Sequence, residues 1–141
     1  MVKGIYGLLV EAHGATLVGR LGAHRFDGVY AYVGSAQGAG GLARRIARHR
    51  AVASGARATR HWHVDSLLGL SERIDVVAAA CEDPDAECAL ADELARRAQG
   101  AVDGFGASDC ACRSHLFRLS SWETAPLAEA LRALGLRPWS V

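Results

Sequence analysis

Long apolar runs are missing from this sequence. Every apolar stretch is interrupted by Gly, Arg or Asp before it reaches the roughly 18 residues that a membrane-spanning helix requires. The chain also begins without the basic segment and apolar stretch that mark export. Cysteine is scarce, with four residues in 141. We therefore expect a cytoplasmic protein without a membrane partner, whose cysteines are reduced and form no disulfide.

Acidic residues are absent from one long segment. No carboxylate lies between Asp27 and Asp65, whereas acidic residues gather between Glu82 and Glu93. The acid-free segment contains Arg44, Arg45, Arg48, Arg50, Arg57 and Arg60, with His49, His61 and His63. One side of the protein can therefore be positive enough to attract phosphate although the formal net charge is only +1. A solvated arginine-rich helix face is the alternative explanation.

The apolar pattern predicts one domain over residues 1–141, built from both strands and helices. Residues 3–11 and 15–21 read as two strands, and Ala12-His13-Gly14 between them predicts a hairpin turn. Asp83 as N-cap and Pro84 after it predict the start of a helix that Gly100 ends. The other predicted elements are strands over 28–34, 74–80 and 113–119 and helices over 42–53, 64–70 and 124–134.

The helix predicted over residues 42–53 has charged groups on its apolar side. Arg45 and His49 share one stripe with Leu42 and Ile46, because these positions are three or four residues apart. Amphipathic helices normally turn such groups to solvent. Arg44 and Arg48 are expected on the outer face. The stripe therefore predicts a guanidinium and an imidazole that point toward the sheet.

A carboxylate is predicted to point inward from the later helix. Glu87 lies on one stripe with Leu90, Ala91 and Leu94. Burial of an unpaired carboxylate is costly, so this side chain needs a cation from the protein or a metal ion. A purely structural ion pair between Arg45 and Glu87 is the alternative.

Strand parity places two tyrosines on the same face. Tyr6 shares a face of the first strand with Gly4 and Leu8, and Tyr32 shares a face of its strand with Gly34. The two phenols can meet across neighbouring strands. Taken alone, this is also an ordinary packing pair of the core.

These features together resemble the GIY-YIG nucleases. The residues that carry the resemblance are Gly4-Ile5-Tyr6, Tyr32-Val33-Gly34, the helix stripe with Arg45 and His49, and the inward Glu87, in that family's order. Four longer stretches are similar to a branch often called Uri-type: residues 30–36, 62–65, 87–91 and 104–116. The resemblance covers a core of about residues 3–119 and leaves 120–141 as a C-terminal helical extension.

The resemblance implies an α/β protein of the α+β type, with a three-stranded, mostly antiparallel sheet flanked by helices and an extra C-terminal strand and helix. It implies a metal-dependent endonuclease that hydrolyses phosphodiester bonds in nucleic acid, with DNA favoured over RNA. Glu87 then holds one Mg²⁺ or Mn²⁺ ion, and Arg45 stabilises the phosphoryl group. Tyr6 helps to activate the attacking water, and Tyr32 and His49 position phosphate and relay protons.

Nucleic-acid contacts are expected around that site. The candidates are Ser35, Arg44, Arg48, His61 and His63. Many family members have an asparagine in the later part of the site, and this chain has none. Ser108-Asp109 or the 63–65 segment can replace it. With no second recognition domain, a protein partner is a further source of specificity.

The remaining cysteines allow a different metal. Cys110, Cys112 and His115 suggest a structural zinc ion, with Cys88, His61 or His63 as the fourth ligand. On a regular strand Cys112 and His115 would face opposite sides, so zinc requires a turn there. Buried, reduced cysteines are the default expectation. A non-catalytic nucleic-acid-binding or adaptor module is the alternative to the nuclease, although binding alone would not require an inward carboxylate.

Overall fold

The computed structural model describes residues 1–58, 62–107 and 110–141. Four α-helices and six strands lie in these ranges. The strands are β1 Gly4–Leu17, β2 Ala23–Ala36, β3 Ser71–Ala80, β4 Gly100–Ala101, β5 Leu116–Leu119 and β6 Trp139–Ser140. The helices are α1 Gly41–Ala53, α2 His63–Leu68, α3 Ala86–Ala95 and α4 Ala125–Ala133, and a short 3-10 helix spans Gly19–Leu21.

The strands form one antiparallel sheet in the order β4-β5-β2-β1-β3-β6. The expected mixed α and β architecture, with an antiparallel sheet flanked by helices, is confirmed. The expected sheet of three strands is wrong, because six are present. β3 and β5 extend the central hairpin, and the two-residue strands β4 and β6, which are too short to leave a sequence pattern, form its edges.

The central hairpin is longer than the sequence suggested. Ala12-His13-Gly14 does not turn: these residues remain in register with β2, where Ala12 pairs with Gly28 and Gly14 with Phe26. The chain reverses around the 3-10 helix, where the Val18 amide donates to the Gly22 carbonyl at 2.9 Å. Gly19 and Gly22 have φ angles of 47° and 80°, which favour glycine. The strand predicted over 3–11 therefore continues to Leu17, and residues 19–21 of the second predicted strand form the 3-10 helix instead.

Several helix and strand boundaries also differ from the prediction. Asp85, not Asp83, is the N-cap of α3, and the Asp83 carboxylate accepts the Asp85 amide at 2.9 Å in a preceding turn. α3 ends at Ala95, and Gly100 begins β4 instead of closing the helix. The last predicted strand begins at Leu116, three residues later than expected. Thr124 occupies the N-cap position of the terminal helix, as predicted, although its side chain forms no capping hydrogen bond.

Helices cover both faces of the sheet. On one face, α1 and α2 pack with Tyr6, Leu8, Tyr30 and other residues of β1 and β2. On the other, α3 and α4 contribute Leu90, Leu94, Leu127 and Leu131 to a separate cluster with Ile5, Leu9 and Val33. Among the described residues, no helix is both long enough and apolar enough to cross a membrane.

Candidate active site

Two directly opposed residues of the central hairpin form the floor of the site. Tyr6 of β1 pairs across the strands with Gly34 of β2. A Cβ atom at position 34 would lie 2.4 Å from the Tyr6 hydroxyl, so only glycine leaves room for the phenol. Gly4 is constrained similarly, because its Cβ would lie 2.2 Å from the Ala79 carbonyl oxygen. Neighbouring atoms approach the backbone so closely at Gly4 and Gly34 that a side chain would not fit. This explains the glycine in both short motifs, Gly4-Ile5-Tyr6 and Tyr32-Val33-Gly34.

A buried hydrogen bond joins this floor to α1. The Tyr6 hydroxyl lies 2.7 Å from Nε2 of His49, and both side chains are almost fully buried. Burial, followed by the charge of Arg45, lowers the pKa of His49 to about 4. No described residue hydrogen-bonds to His49 Nδ1, although the atom is buried. The imidazole is thus neutral at pH 7 and has a ring nitrogen available for one further partner.

Burial also keeps Tyr6 protonated. Desolvation, with the neighbouring Tyr32 as the second cause, raises the pKa of Tyr6 well above its ordinary value of 10.0. The charge and hydrogen bonding of Arg45 lower this pKa, whereas the charge of Glu87 raises it. The ring centroid of Tyr32 lies 6.3 Å from that of His49. Tyr6, Tyr32, Arg45 and His49 therefore lie in one region, and the charge of Glu87 acts on Tyr6 from α3.

Arg45 is fixed at the edge of this region. Its Nη1 donates to the Ser35 carbonyl at 3.1 Å, and its guanidinium lies 4.6 Å from the centroid of the Trp62 ring. The Ser35 hydroxyl accepts a 3.2 Å hydrogen bond from the Gln37 side chain. Gln37 also donates to the carbonyls of Gly4 and Cys81, so it ties the end of β2 to β1 and β3. Its role was missed because nothing in its local pattern indicates those contacts.

Glu87 approaches from the opposite layer. It lies in the first turn of α3, which packs on the other face of the sheet through Leu90 and Leu94, and it is partly buried. β5 pairs with β2 only over residues 29–32, so β5 does not cover the end of β2 near Gly34. The charge of Glu87 is the last and smallest named cause of the raised pKa of Tyr6.

Arg48 does not lie on the outer face, as its position in the helix suggested. Its side chain is 14% exposed and forms a two-pronged ion pair with Asp65, at 2.7 and 2.8 Å. The guanidinium also lies 4.2 Å from the centroid of Trp62. Packing of α2 against α1 covers this side of the helix. Trp62, which contacts both Arg45 and Arg48, is a functional candidate that local sequence patterns did not identify.

An arginine-lined groove opens beside Arg45. It has a volume of about 650 Å³, and the described residues that line it include four guanidinium groups and no carboxylate. Those residues are Arg44, Arg45, Arg48 and Arg57, together with Trp62 and the 36–41 segment. Arg44 is exposed. Arg48 is largely buried in its ion pair with Asp65, so only a small part of its side chain is accessible from the groove. The groove can therefore accept an anionic chain.

The other predicted contact residues have different positions. His63 accepts a hydrogen bond from the Gly106 amide at Nδ1, at 2.9 Å, and packs against Phe105. It therefore supports the 104–106 turn, and its contact with nucleic acid stays a prediction. His61, Ser108 and Asp109 lie outside the described residues. Asp65 is engaged by Arg48, so the suggested replacement for an asparagine is already paired.

Three cysteines and a histidine meet next to α3. Suitable ligand atoms of Cys88, Cys110, Cys112 and His115 all lie within 4.8 Å of one another. All four cysteines of the chain are free thiols. The 110–115 segment bends instead of continuing as a strand, which lets Cys112 and His115 face the same space. This cluster could bind a metal ion, with Cys88 as its fourth member.

Comparison with known proteins gives a family and no activity. The chain belongs to the family described as Domain of unknown function DUF123, whose model matches residues 5–136. No curated protein and no solved structure matches it.

Proposed function

For this member of the DUF123 family, we propose a metal-dependent endonuclease of the GIY-YIG type, related to its Uri-type branch, that acts in the cytoplasm on DNA or RNA. The observation that carries the proposal is the buried pair of Tyr6 and His49 next to Arg45, which lines an arginine-rich groove, with the charge of Glu87 acting on Tyr6. Hydrolysis of a phosphodiester develops charge on the nonbridging oxygens and on the leaving oxygen, and cations stabilise both.

Arg45 is suited to stabilise the reacting phosphate. Its anchors at the Ser35 carbonyl and the Trp62 ring limit its motion, so little conformational entropy is lost when a phosphate binds. The other arginines of the groove attract the flanking phosphates without reading base sequence. This arrangement supports cleavage with modest sequence preference. Greater specificity then requires a protein partner.

Tyr6 and His49 are suited to orient water. The raised pKa of Tyr6 means that it enters the reaction as a phenol and not as a stored phenolate. We assign the hydroxyl proton of Tyr6 to the hydrogen bond with His49 Nε2, because Arg45 hydrogen-bonds toward the phenol oxygen. The lone pairs of that oxygen can then accept a hydrogen bond from the attacking water. Tyr32 borders the same space.

Glu87 fits the role of metal ligand. Mg²⁺ and Mn²⁺ prefer oxygen ligands, and Mg²⁺ often binds through one or two carboxylates, retained waters and substrate phosphates. A partly buried carboxylate whose charge acts on Tyr6 can supply that chemistry. A divalent ion bound there would neutralise developing phosphate charge and favour ionisation of a bound water. The nearby phenol and guanidinium provide positioning that does not depend on the ion.

The decisive test is a panel of end-labelled DNA and RNA, single-stranded, duplex and branched, incubated with Mg²⁺, Mn²⁺ or chelator. The proposal expects nicking with either ion and none with chelator. Glu87→Gln should abolish nicking while its circular dichroism and melting temperature stay close to those of the unchanged protein. Glu82→Gln, which removes an exposed carboxylate five residues earlier in the sequence, is the matched control and should cleave normally.

Three outcomes would contradict this assignment. If Glu87→Gln cleaves at the rate of the unchanged protein, Glu87 is not the metal ligand. If changes at Arg45 and Glu87 only melt the protein and leave specific activity intact, the two residues form a structural pair. If the protein shifts labelled nucleic acid in a gel without a metal requirement and never cuts it, the alternative binding or adaptor module is correct. The arginine-lined groove serves that alternative equally well.

A further inference from the structure

The Cys88, Cys110, Cys112 and His115 cluster is separate from the proposed catalytic carboxylate in its chemistry. It offers three sulfur atoms and one imidazole nitrogen, and no oxygen ligand. Thiolate and imidazole ligands favour zinc over Mg²⁺ or Mn²⁺. Three cysteines cannot all be used in disulfides with one another, and the histidine would have no function in such pairing. The composition of the cluster therefore favours a metal over oxidation.

The spacing of the ligand atoms matches a tetrahedral ion. Zinc bonds of about 2.3 Å to sulfur and about 2.0 Å to nitrogen place a sulfur and a nitrogen about 3.5 Å apart and two sulfurs about 3.8 Å apart. Cys110 Sγ lies 3.6 Å from His115 Nε2, and all four ligand atoms lie within 4.8 Å of one another. Only small side-chain movements would be needed to surround an ion.

The backbone already holds the ligands in this arrangement. The His115 amide donates to the Phe105 carbonyl and the His115 carbonyl accepts the Val33 amide, both at 2.8 Å. His115 is 2% exposed. Cys88 is fixed independently, by its place in the first turn of α3. The ligands therefore come from two separately anchored segments of the chain.

We propose that Cys88, Cys110, Cys112 and His115 bind one zinc ion in a closed tetrahedral site that fastens the 110–115 segment to α3. Four protein ligands fill the coordination sphere, so the ion is structural and has no position for substrate. The assignment selects Cys88 as the fourth ligand from the candidates that the sequence left open. It does not depend on nuclease activity.

Metal analysis tests the site directly. The full chain is expressed in zinc-supplemented medium, purified under reducing conditions and analysed by mass spectrometry for bound metals. We expect one zinc ion per chain, and a several-fold lower content in Cys88→Ser and Cys112→Ser. Cys81→Ser is the matched control, because Cys81 is a free thiol outside the cluster. Zinc-free protein, or an equal loss in Cys81→Ser, overturns the proposal.

Cobalt substitution covers the case in which a cysteine variant fails to fold. Co²⁺ added to zinc-stripped, otherwise unaltered protein should give the intense visible bands of a tetrahedral site and an ultraviolet thiolate-to-cobalt band. Addition of Zn²⁺ should remove both, and Mg²⁺ should not. Weak bands typical of octahedral cobalt, or no charge-transfer band, contradict a site with three thiolates.

The zinc site has a consequence for Glu87, which is adjacent to Cys88, and this consequence rests on the proposed function. Loss of zinc should raise the Mg²⁺ concentration required for nicking severalfold, because the first turn of α3 loses an anchor. Glu87→Gln should lose nicking and keep its zinc, whereas Cys88→Ser should lose zinc. If the unaltered protein binds zinc and never cuts nucleic acid, the proposed function fails and the zinc site stands.

Discussion

The two faces of the sheet differ in the polar groups that they bury. The face under α3 and α4 is an apolar cluster in which Leu90, Leu94 and Leu127 are at most 1% exposed. The face under α1 and α2 has a similar apolar cluster, but it also contains His49 and Asp65, which are equally buried. Burial of polar groups costs free energy unless every partner is supplied. The polar groups of the α1 face therefore depend on specific buried partners, such as the Arg48–Asp65 ion pair and the Tyr6–His49 hydrogen bond, and the proposed chemistry belongs to this face.

The largest effect on folding is expected on the apolar face. Leu90→Ala should destabilise the protein by about 2–5 kcal/mol, because the change leaves a cavity between α3 and the sheet. Denaturant unfolding measures the loss. The specific activity of the folded fraction should be unchanged. If activity falls much more than the folded fraction does, the two faces are not independent.

The next effect should be on activity. Arg45→Ala is expected to lower the nicking rate by about 10²–10³-fold, by analogy with removal of a single donor that stabilises transition-state charge. Its stability cost should be modest, since the lost protein contacts are the hydrogen bonds to the Ser35 carbonyl and toward the Tyr6 phenol and the Trp62 stacking.

Arg44→Ala is the matched control for that change, because Arg44 is an exposed neighbour on the same groove. It should weaken substrate binding a few-fold and leave the rate at saturating substrate unchanged. Equal effects of the two substitutions on the saturated rate would mean that Arg45 is only one of several binding charges.

A smaller effect, on the free energy of unfolding, is expected when the hydrogen bond between Tyr6 and His49 is removed. Tyr6→Phe should destabilise the protein by about 1–3 kcal/mol, because it leaves His49 Nε2 buried without its partner. Adding His49→Leu should recover much of this loss, while activity stays absent. A double-mutant cycle of unfolding free energies measures the recovery. Additive losses would show that the pair is not coupled.

The last prediction concerns the pH dependence of stability. His49 binds a proton below about pH 6.5 when unfolded, and below about pH 4 when folded. Unfolding therefore takes up a proton between these values, and stability rises with pH through that window. The contribution of neutral His49 to the free energy of unfolding is fully present above pH 6.5. It falls by up to about 1.4 kcal/mol per pH unit as the pH is lowered toward 4. Comparison with His49→Gln isolates it, and an unchanged slope in that variant would reject the assignment.

Local sequence patterns were most informative where the site depends on helix or strand periodicity. Arg45 and His49 could be predicted to face the sheet because their spacing from Leu42 places them on its stripe. The hairpin turn was misplaced because Gly14 resembles a turn residue. Its φ of 128° is instead accommodated inside a strand whose alternating pattern continues through it.

Features that depend on contacts distant in the chain could not be read in advance. The ion pair between Arg48 and Asp65 requires the angle at which α2 meets α1. The fourth member of the cysteine cluster, Cys88, is more than 20 residues from Cys110 and had several possible substitutes. The edge strands β4 and β6 have two residues each, so they carry no periodicity.

The absence of a side chain at Gly34 affects how this protein can bind a ligand. Because the Tyr6 ring fills the space that a side chain would take, it rests against bare backbone and has little room to swing. The phenol is therefore preorganised, and binding need not spend free energy on selecting one rotamer from many. The backbone of the two paired strands fixes the orientation of the Tyr6 phenol before any ligand binds.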